Sequence, residues 1–250
     1  QLQLEEAARI AYGDSGLSVR GLSLVGARGA RIRAEGEIPD QGEARLDLEM
    51  AGIDLADLSD FLVVGEGVRG RLGGSLAVRG TSAAPRMDLS LTVDSAGYEE
   101  VAYRRLQASV AYADREISGR VALVGSDREL VRLDGRVRAD LAFRDVERRL
   151  LENPLDLTLR ADSLPMELVT LPLESLRDVE GHGAGTVRIL GAPGEPDLDG
   201  RISLRDGSAL VVPLNVRYRE IRGTVAFRGS DARIDSMSAT SAAGGRADVS

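Results

Sequence analysis

The 250-residue chain has no cysteine and no tryptophan, only one histidine, and an aromatic set limited to five Tyr and three Phe. Without cysteine, disulfide scaffolds, thiol catalysis and Cys-based zinc sites are excluded. One histidine excludes any metal site that needs two imidazoles. Lysine is missing as well, so all 32 basic residues are arginine. That pattern reflects a GC-rich coding sequence, because no binding surface requires every exposed cation to be Arg. A net charge of −8 argues against nucleic acid, whose phosphates call for a basic face. The same sign argues against a loose electrostatic hold on anionic lipid surfaces. Long apolar runs are also lacking. The uncharged stretches Gly207 to Val216 and Ser236 to Gly245 reach only ten residues, whereas a spanning helix needs roughly 20. The chain has no start Met and no signal-like opening, and it stops inside an alternating stretch, so it reads as a segment of a longer protein.

What the chain does have is alternation. Apolar residues make up 43%, too many for intrinsic disorder. Leu155-Asp156-Leu157-Thr158-Leu159-Arg160 places leucine on one face and polar groups on the other, and Met87 to Asp94 does the same. Successive side chains of a strand point to opposite faces, so each run has one greasy and one wet side. Turn signals such as Asp134-Gly135, Asp206-Gly207-Ser208 and Gly229-Ser230-Asp231 separate the runs. The pattern predicts a mainly antiparallel all-β protein. Three short connecting helices are expected: Ile53 to Val63 with Asp54 as N-cap, Asp145 to Glu152, and one or two turns within Ser163 to Leu176.

An internal repeat is the strongest signal. A shift of 111 residues lays Val68–Val93 on Val179–Leu204 with six identities, among them Gly70/Gly181, Gly74/Gly185, Gly80/Gly191 and Pro85/Pro196. After an insertion the match resumes at a shift of 115, pairing Val101, Tyr103, Arg104, Val110 and Ala111 with Val216, Tyr218, Arg219, Val225 and Ala226. Upstream, Leu46-Asp47-Leu48 matches Leu155-Asp156-Leu157 at a shift of 109, and Ile32 to Gly36 echoes Val131 to Gly135. A unit of this length suits a module of several hairpins that buries its apolar face against neighbouring modules. The expected division is residues 1–45 as the end of a preceding repeat, 46–154 as one module and 155–250 as a second, truncated one.

The repeated core Gly74-Ser75-Leu76-Ala77-Val78-Arg79-Gly80-Thr81 … Pro85, with its copy Gly185-Thr186-Val187-Arg188-Ile189-Leu190-Gly191-Ala192 … Pro196-Asp197-Leu198-Asp199-Gly200, resembles the TamB family. So does the sequel from Arg201 to Ser208, followed by Tyr218-Arg219-Glu220-Ile221-Arg222-Gly223. The first copy departs in having Leu89 where the second has Gly200, and the second has Ala192 in place of Thr81. The resemblance implies a β-taco, an elongated, curled, mainly antiparallel sheet with a hydrophobic groove. It also implies a periplasmic segment of a protein anchored in the inner membrane of a Gram-negative bacterium. The implied task is to conduct phospholipid toward the outer membrane and to support outer-membrane biogenesis, together with a TamA-type barrel met by parts outside this segment.

The groove would be lined by alternating apolar residues. In the first copy these are Leu76 and Val78, Leu89, Leu91 and Val93, Val110 and Tyr112, and Val121 and Leu123. In the second they are Leu157 and Leu159, Val187 and Ile189, Ile202 and Leu204, and Val225 and Phe227. Phospholipid acyl chains are a natural filling for such a floor; an ordinary closed core is the other way to cover it. No enzyme activity, cofactor or metal is expected. A scaffold or chaperone-like module, guiding outer-membrane proteins through its strand edges, is the alternative function. A repeat-built carbohydrate-active enzyme would need clustered carboxylates and aromatic platforms, which the chain does not supply.

Several patterns imitate sites. Gly65-Glu66-Gly67-Val68-Arg69-Gly70 fits G-x-G-x-x-G, but Arg71-Leu72-Gly73-Gly74 follows where a dinucleotide site needs a helix. His182 sits between flexible Gly181 and Gly183 with no nucleophile or carboxylate held beside it. The pairs Asp57/Asp60 and Glu99/Glu100 read as solvated caps or turns, and Arg104/Arg105 and Arg148/Arg149 as exposed charge rather than headgroup clamps. Tyr103 and Tyr218 are expected to pack at strand ends.

Overall fold

Alternating sequence becomes strand throughout. The computed structural model describes residues 2–13, 15–58, 68–98, 101–166, 175–241 and 244–249. These form 17 β-strands and three short 3-10 turns, and Met166 is the one described residue in an α-helical turn. The chain divides into two compact units, one of Gln1–Arg128 with Asp134–Pro154, the other of Glu129–Leu133 with Leu155–Ser250. All described pairings are antiparallel.

In the first unit β1 (Leu2–Leu4) and β2 (Arg9–Gly13) both pair with β3 (Gly16–Gly26). The ladder continues through β4 (Arg31–Pro39), β5 (Glu43–Asp54), β6 (Val68–Thr81) and β7 (Pro85–Tyr98). Strand β7 then pairs with the two-residue β8 (Val101–Ala102) and with β9 (Arg105–Ala113), which pairs with β10 (Glu116–Val124). The second unit runs from β12 (Leu150–Pro165), paired from Leu155 onward, through β13 (Leu176–Ala192), β14 (Glu195–Val211), β15 (Val216–Gly229) and β16 (Asp231–Ser241) to β17 (Arg246–Val249). Strand β11 (Glu129–Ala139) contributes its first residues to the second unit and its last to the first. Among the described residues, no pairing joins the first strand of either ladder to its last, so neither closes into a barrel.

The repeat maps strand onto strand: β5, β6, β7 and β9 correspond to β12, β13, β14 and β15. Pairing register corrects the sequence match in two places. Leu46 faces Val78 and Leu157 faces Ile189, so β5 corresponds to β12 at the same shift of 111, not 109. Leu91 faces Ala108 and Ile202 faces Val225, which sets β9 against β15 at 117, not 115. Both offsets are two residues, the strand period, so an alternating run matches itself nearly as well and keeps its face.

Gly74 and Gly185 show why glycine recurs in these strands. A Cβ would lie 2.1 Å from the Ser90 carbonyl oxygen at Gly74, and 2.0 Å from that of Arg201 at Gly185, where φ is +156°. The neighbouring backbone leaves no space for a side chain. Register shifts accumulate nearby, between Arg69 and Arg71 in β6 and between Glu180 and His182 in β13. Bulges and glycine kinks of this kind bend and coil a sheet locally.

Of the expected connecting helices, Asp145 to Glu152 and the described part of Ile53 to Val63 are not α-helical, and most of the third lies outside the described residues. Strand β5 extends to Asp54, which does act as a cap: its Oδ1 accepts the Ala56 N–H at 3.1 Å, but over a 3-10 turn, Leu55–Leu58. Residues 59–63 of that expectation lie outside the described residues, as do 167–174 of the stretch from Ser163 to Leu176, where β12 runs to Pro165, Met166 is helical and β13 begins at Leu176. Asp145 to Glu152 is not helical, because β12 already begins at Leu150 and Arg149 turns back on its own loop. The division at 45/46 falls inside β5, which pairs along its length with β4 and β6.

Candidate functional site

Directly opposed residues share a face, so register alone defines two faces in each unit. Across β5, β6, β7, β9 and β10 the row Leu48, Leu76, Leu89, Val110, Gly119 is flanked by the row Leu46, Val78, Met87, Tyr112, Ile117. Leu91 and Val121 meet Ala108, and Val93 and Leu123 meet Leu106, on the same face. In the second unit Leu159 faces Val187 and Leu157 faces Ile189. Ile202 faces Gly185 and Val225, Leu204 faces Gly183 and Gly223, and Gly200 sits between Val187 and Phe227. Every residue expected to line the groove therefore falls on the aliphatic face of its own unit.

That face is poorly covered. Among the described residues no large side chain is fully buried, and apart from Val78, Val93, Tyr112 and Val187 the residues expected to line the groove are half-buried. Each ladder is a single run of side-by-side strands, with no second sheet described on its aliphatic face as in an ordinary β-sandwich core.

The opposite face is polar and paired. Arg79 Nη2 meets Asp47 Oδ1 at 2.6 Å, Arg105 Nε meets Asp94 Oδ1 at 2.6 Å, and Arg188 Nη2 meets Asp156 Oδ1 at 3.1 Å. These pairs are solvent-exposed, so they contribute register and solubility more than stability.

One end of the first unit is closed by a strap, residues 140–149. The Leu141 N–H donates to Tyr112 Oη at 2.8 Å, which brings the strap over the aliphatic face. The Phe143 N–H reaches the Ser82 carbonyl in the β6–β7 turn at 2.8 Å. Arg149 Nη1 donates to the Ala142 carbonyl at 2.5 Å, and the Asp140 N–H donates to the Arg149 carbonyl at 2.7 Å. Asp140 is buried, accepts the Ala142 N–H at 3.0 Å and pairs with Arg115 at 2.9 Å. The Ala142 N–H, followed by the Arg115 guanidinium, holds its carboxyl below the usual range against the opposing effect of burial.

The second unit carries a different feature, a cavity of about 390 Å³. Leu176 and Val179 of β13, Leu204, Ala209 and Val211 of β14, Tyr218 and Ile221 of β15, and Met237 of β16 line it. Glu180 and Ser208 touch its edge, but they oppose each other directly, one residue out of phase with Gly207 and Ala209, so their side chains lie on the other face, where Ser208 Oγ donates to Glu180 Oε2 at 3.1 Å. The volume falls in the range of small-molecule sites. The aligned copies explain the space. Gly207 and Ala209 stand where the first unit has Ala96 and Tyr98, and Asp206 and Ser95 share left-handed backbone, with φ of 53° and 52°. Of these cavity residues only Leu204 was expected at the site, and Tyr218 lines the cavity instead of merely packing. The signal that was available is small for large, glycine for alanine and alanine for tyrosine, at aligned apolar positions.

The look-alike sites do not assemble. Val68 and Gly70 belong to a strand, and Gly65 to Gly67 lie outside the described residues, as do Asp60, Glu99 and Glu100. His182 is exposed in β13, opposite Pro165 and Arg205. Arg104 Nη1 donates to the Ser126 carbonyl at 3.2 Å, Arg149 serves the strap, and Tyr103 is buried. No group of His, Asp and Glu suited to a metal ion occurs among the described residues. No described helix is long and apolar enough to cross a membrane. Comparison of the chain with family models, with curated proteins and with solved structures finds no match.

Proposed function

We propose that the chain is a non-enzymatic bridge segment of the Gram-negative periplasm, conducting phospholipid along its aliphatic sheet faces between inner and outer membranes. The observation that carries this reading is the unbroken aliphatic face of each ladder, left without a second layer. Acyl tails would complete that face, since each methylene moved from water onto it is worth about 0.8 kcal/mol. The lining is aliphatic and lacks polar anchors, which suits cargo that slides. Polar headgroups would stay toward solvent. The resemblance of the repeated core to the TamB family supports the same reading and extends it: an inner-membrane anchor and a TamA-type barrel would be met by parts outside this segment.

Phospholipid should accompany the chain when it is purified from a Gram-negative host and extracted for lipid mass spectrometry. Leu91→Asp and Ile202→Asp place a carboxylate on the floor of each unit, and should reduce the bound lipid severalfold while leaving the far-ultraviolet circular dichroism unchanged. Lipid-free protein, or variants that bind as much as the parent, would falsify the proposal.

A second reading, a scaffold for outer-membrane protein assembly, draws on a specific feature. Strand β2 is exposed along its whole length, with Tyr12 89% exposed, and it presents an edge that another strand could extend. Crosslinks from Tyr12 to client strands, with no lipid bound, would favour it.

A further inference from the structure

We infer that the tip of the β14–β15 hairpin, residues 210–217, is a docking point for the surface of a bilayer that contains anionic phospholipid. The inference does not depend on what the aliphatic faces carry; it concerns where the second unit meets a membrane.

The tip is an addition to the repeat. In the first unit Tyr98 faces Val101, with only Glu99 and Glu100 between them in sequence. Their counterparts Ala209 and Tyr218 also face each other, but eight residues separate them, Leu-Val-Val-Pro-Leu-Asn-Val-Arg. Two carboxylates have given way to a longer, mostly apolar run. Leu210 and Val211 pair with Arg217 and Val216 and lengthen the hairpin, and Val212–Leu214 close its end as a 3-10 turn. Leu214 is 62% exposed, and Val212 and Pro213 are exposed beside it. Clustered apolar surface left in water marks a contact.

Geometry selects a bilayer over a protein groove. Register places Val211 and Val216 on the aliphatic face and Leu210 on the polar one, while Val212 and Leu214 stand beyond the last paired rung. Apolar side chains that project in several directions have no single complementary face, and a fluid apolar medium accepts all of them. The backbone suits that medium as well. The Val212 N–H donates to the Ser175 carbonyl at 3.0 Å, the Asn215 N–H donates to that of Val212 at 3.1 Å, and Pro213 has no N–H. From the Leu210 rung to Leu214 the tip reaches at most roughly 9 Å, within the depth at which interfacial segments sit.

Charge selects the kind of bilayer. Arg177 and Arg217 flank Leu210 on its two neighbouring strands, and Arg219 follows two residues behind on the same face. Arg217 is engaged by Asp178, whereas Arg177 and Arg219 are exposed, with no ion-pair partner among the described residues. The whole-chain charge of −8 opposes adsorption through charge alone. Insertion of the apolar tip brings these two guanidiniums to the level of the phosphates, where each gains a charge-assisted partner.

The chain contains no cysteine, so single thiols carrying a nitrobenzoxadiazole dye report on single places. Leu214→Cys puts the dye at the tip. Gly194→Cys puts it in the β13–β14 turn, at the other end of the same ladder, where nothing lies within 4 Å of an added carbon. Leu89→Cys puts it on the aliphatic face of the first unit. Each labelled full chain is titrated with vesicles of phosphatidylethanolamine and phosphatidylglycerol, and with vesicles of phosphatidylcholine. A blue shift is expected at 214 and none at 194. Flotation of the unlabelled chain reads affinity: Val212→Asp with Leu214→Asp should weaken it at least about tenfold. Arg177→Gln and Arg219→Gln should each weaken it about fivefold on the phosphatidylglycerol vesicles and less than about twofold on phosphatidylcholine. No shift at 214, or an equal shift at 194, would overturn the docking point. A shift at 214 that needs no vesicle and grows with protein concentration would assign the tip to a second copy and overturn it too. A shift at 89 with none at 214 would overturn docking and leave lipid conduction standing. Arginine variants that bind the anionic vesicles like the parent would overturn the preference for anionic lipid.

Discussion

Each unit holds one copy of a four-strand repeat, β5, β6, β7 and β9 in the first and β12 to β15 in the second, and the copies differ on both faces. On the aliphatic face the first unit is closed at one end by the strap 140–149, which hydrogen-bonds to Tyr112 and Ser82. The second unit is hollow where Gly207 and Ala209 replace Ala96 and Tyr98. On the polar face the first unit opposes Arg45, Arg79 and Arg86 in one row, where the second has Asp156, Leu190 and Asp197. What the copies share is backbone: the glycine approaches, the bulges and the direction of each face. The frame is therefore set by a few positions that admit no side chain, and the contents of the faces are free to differ.

The largest effect should come from attacking that shared frame. Gly74→Val and Gly185→Val each force a side chain against a neighbouring carbonyl oxygen, at 2.1 and 2.0 Å from the ideal Cβ. Overpacking against backbone that cannot move aside should cost about 3 kcal/mol or more. Hydrogen exchange read by mass spectrometry should show the loss of protection confined to the unit that carries the change. Gly194→Ala, with nothing within 4 Å of the added carbon, should shift stability by less than about 0.5 kcal/mol. Loss of protection in both units from either valine would mean that they do not behave as separate modules.

Much of this frame could be read from the sequence, and the reason is periodicity. A strand face is written in alternate residues, so the residues from Leu76 to Phe227 that read as one apolar set share the aliphatic face of their unit. Register is harder, because Leu-Asp-Leu looks the same when moved by two residues; the shifts of 109 and 115 became 111 and 117 for that reason. Asp145 to Glu152 is not a helix because β12 already begins at Leu150, and Ile53 to Leu58 continues β5 into a 3-10 turn. The cavity was invisible to a search for alternating large aliphatics, since what makes it is the smallness of Gly207 and Ala209. The strap depends on backbone carbonyls bonded to Arg149, and these leave no pattern in side-chain chemistry.

The strap offers a test at intermediate size. Tyr112→Phe removes the acceptor for the Leu141 N–H and keeps the ring, which is 95% buried by its 5% exposure. The expected loss is about 1 kcal/mol in the first unit, seen as faster exchange in residues 140–149. Asp140 adds a pH signature. Its carboxyl titrates lower when folded than when unfolded, so its contribution is present above the ordinary carboxylate range. It is lost as pH falls through the lowered native value. Thermal unfolding followed from neutral to acid pH should show an acid-side decline in the first unit that Asp140→Asn removes. Arg115 and Arg144 stay charged throughout and do not shift that window. A strap whose exchange is unaffected by either change would not be held by these bonds.

The smallest effect lies on the polar face and sharpens the comparison most directly. Arg86→Asp gives the first unit the residue that the second carries at the aligned position, Asp197. Directly opposite like charges disfavour a strand pair, and Arg86 faces Arg79 across β6 and β7. Arg79 is already engaged with Asp47 at 2.6 Å, so a new carboxylate would share a guanidinium instead of finding a free one. The expected gain is therefore only about 0.3–0.5 kcal/mol at low salt. Screening over about 10 Å at 0.1 M ionic strength should shrink it further, and 1 M salt should erase it. A melt of the first unit at the two salt concentrations reads both values. Destabilisation by the aspartate would mean that the three opposed arginines are tolerated for a reason other than weak coupling across an exposed sheet.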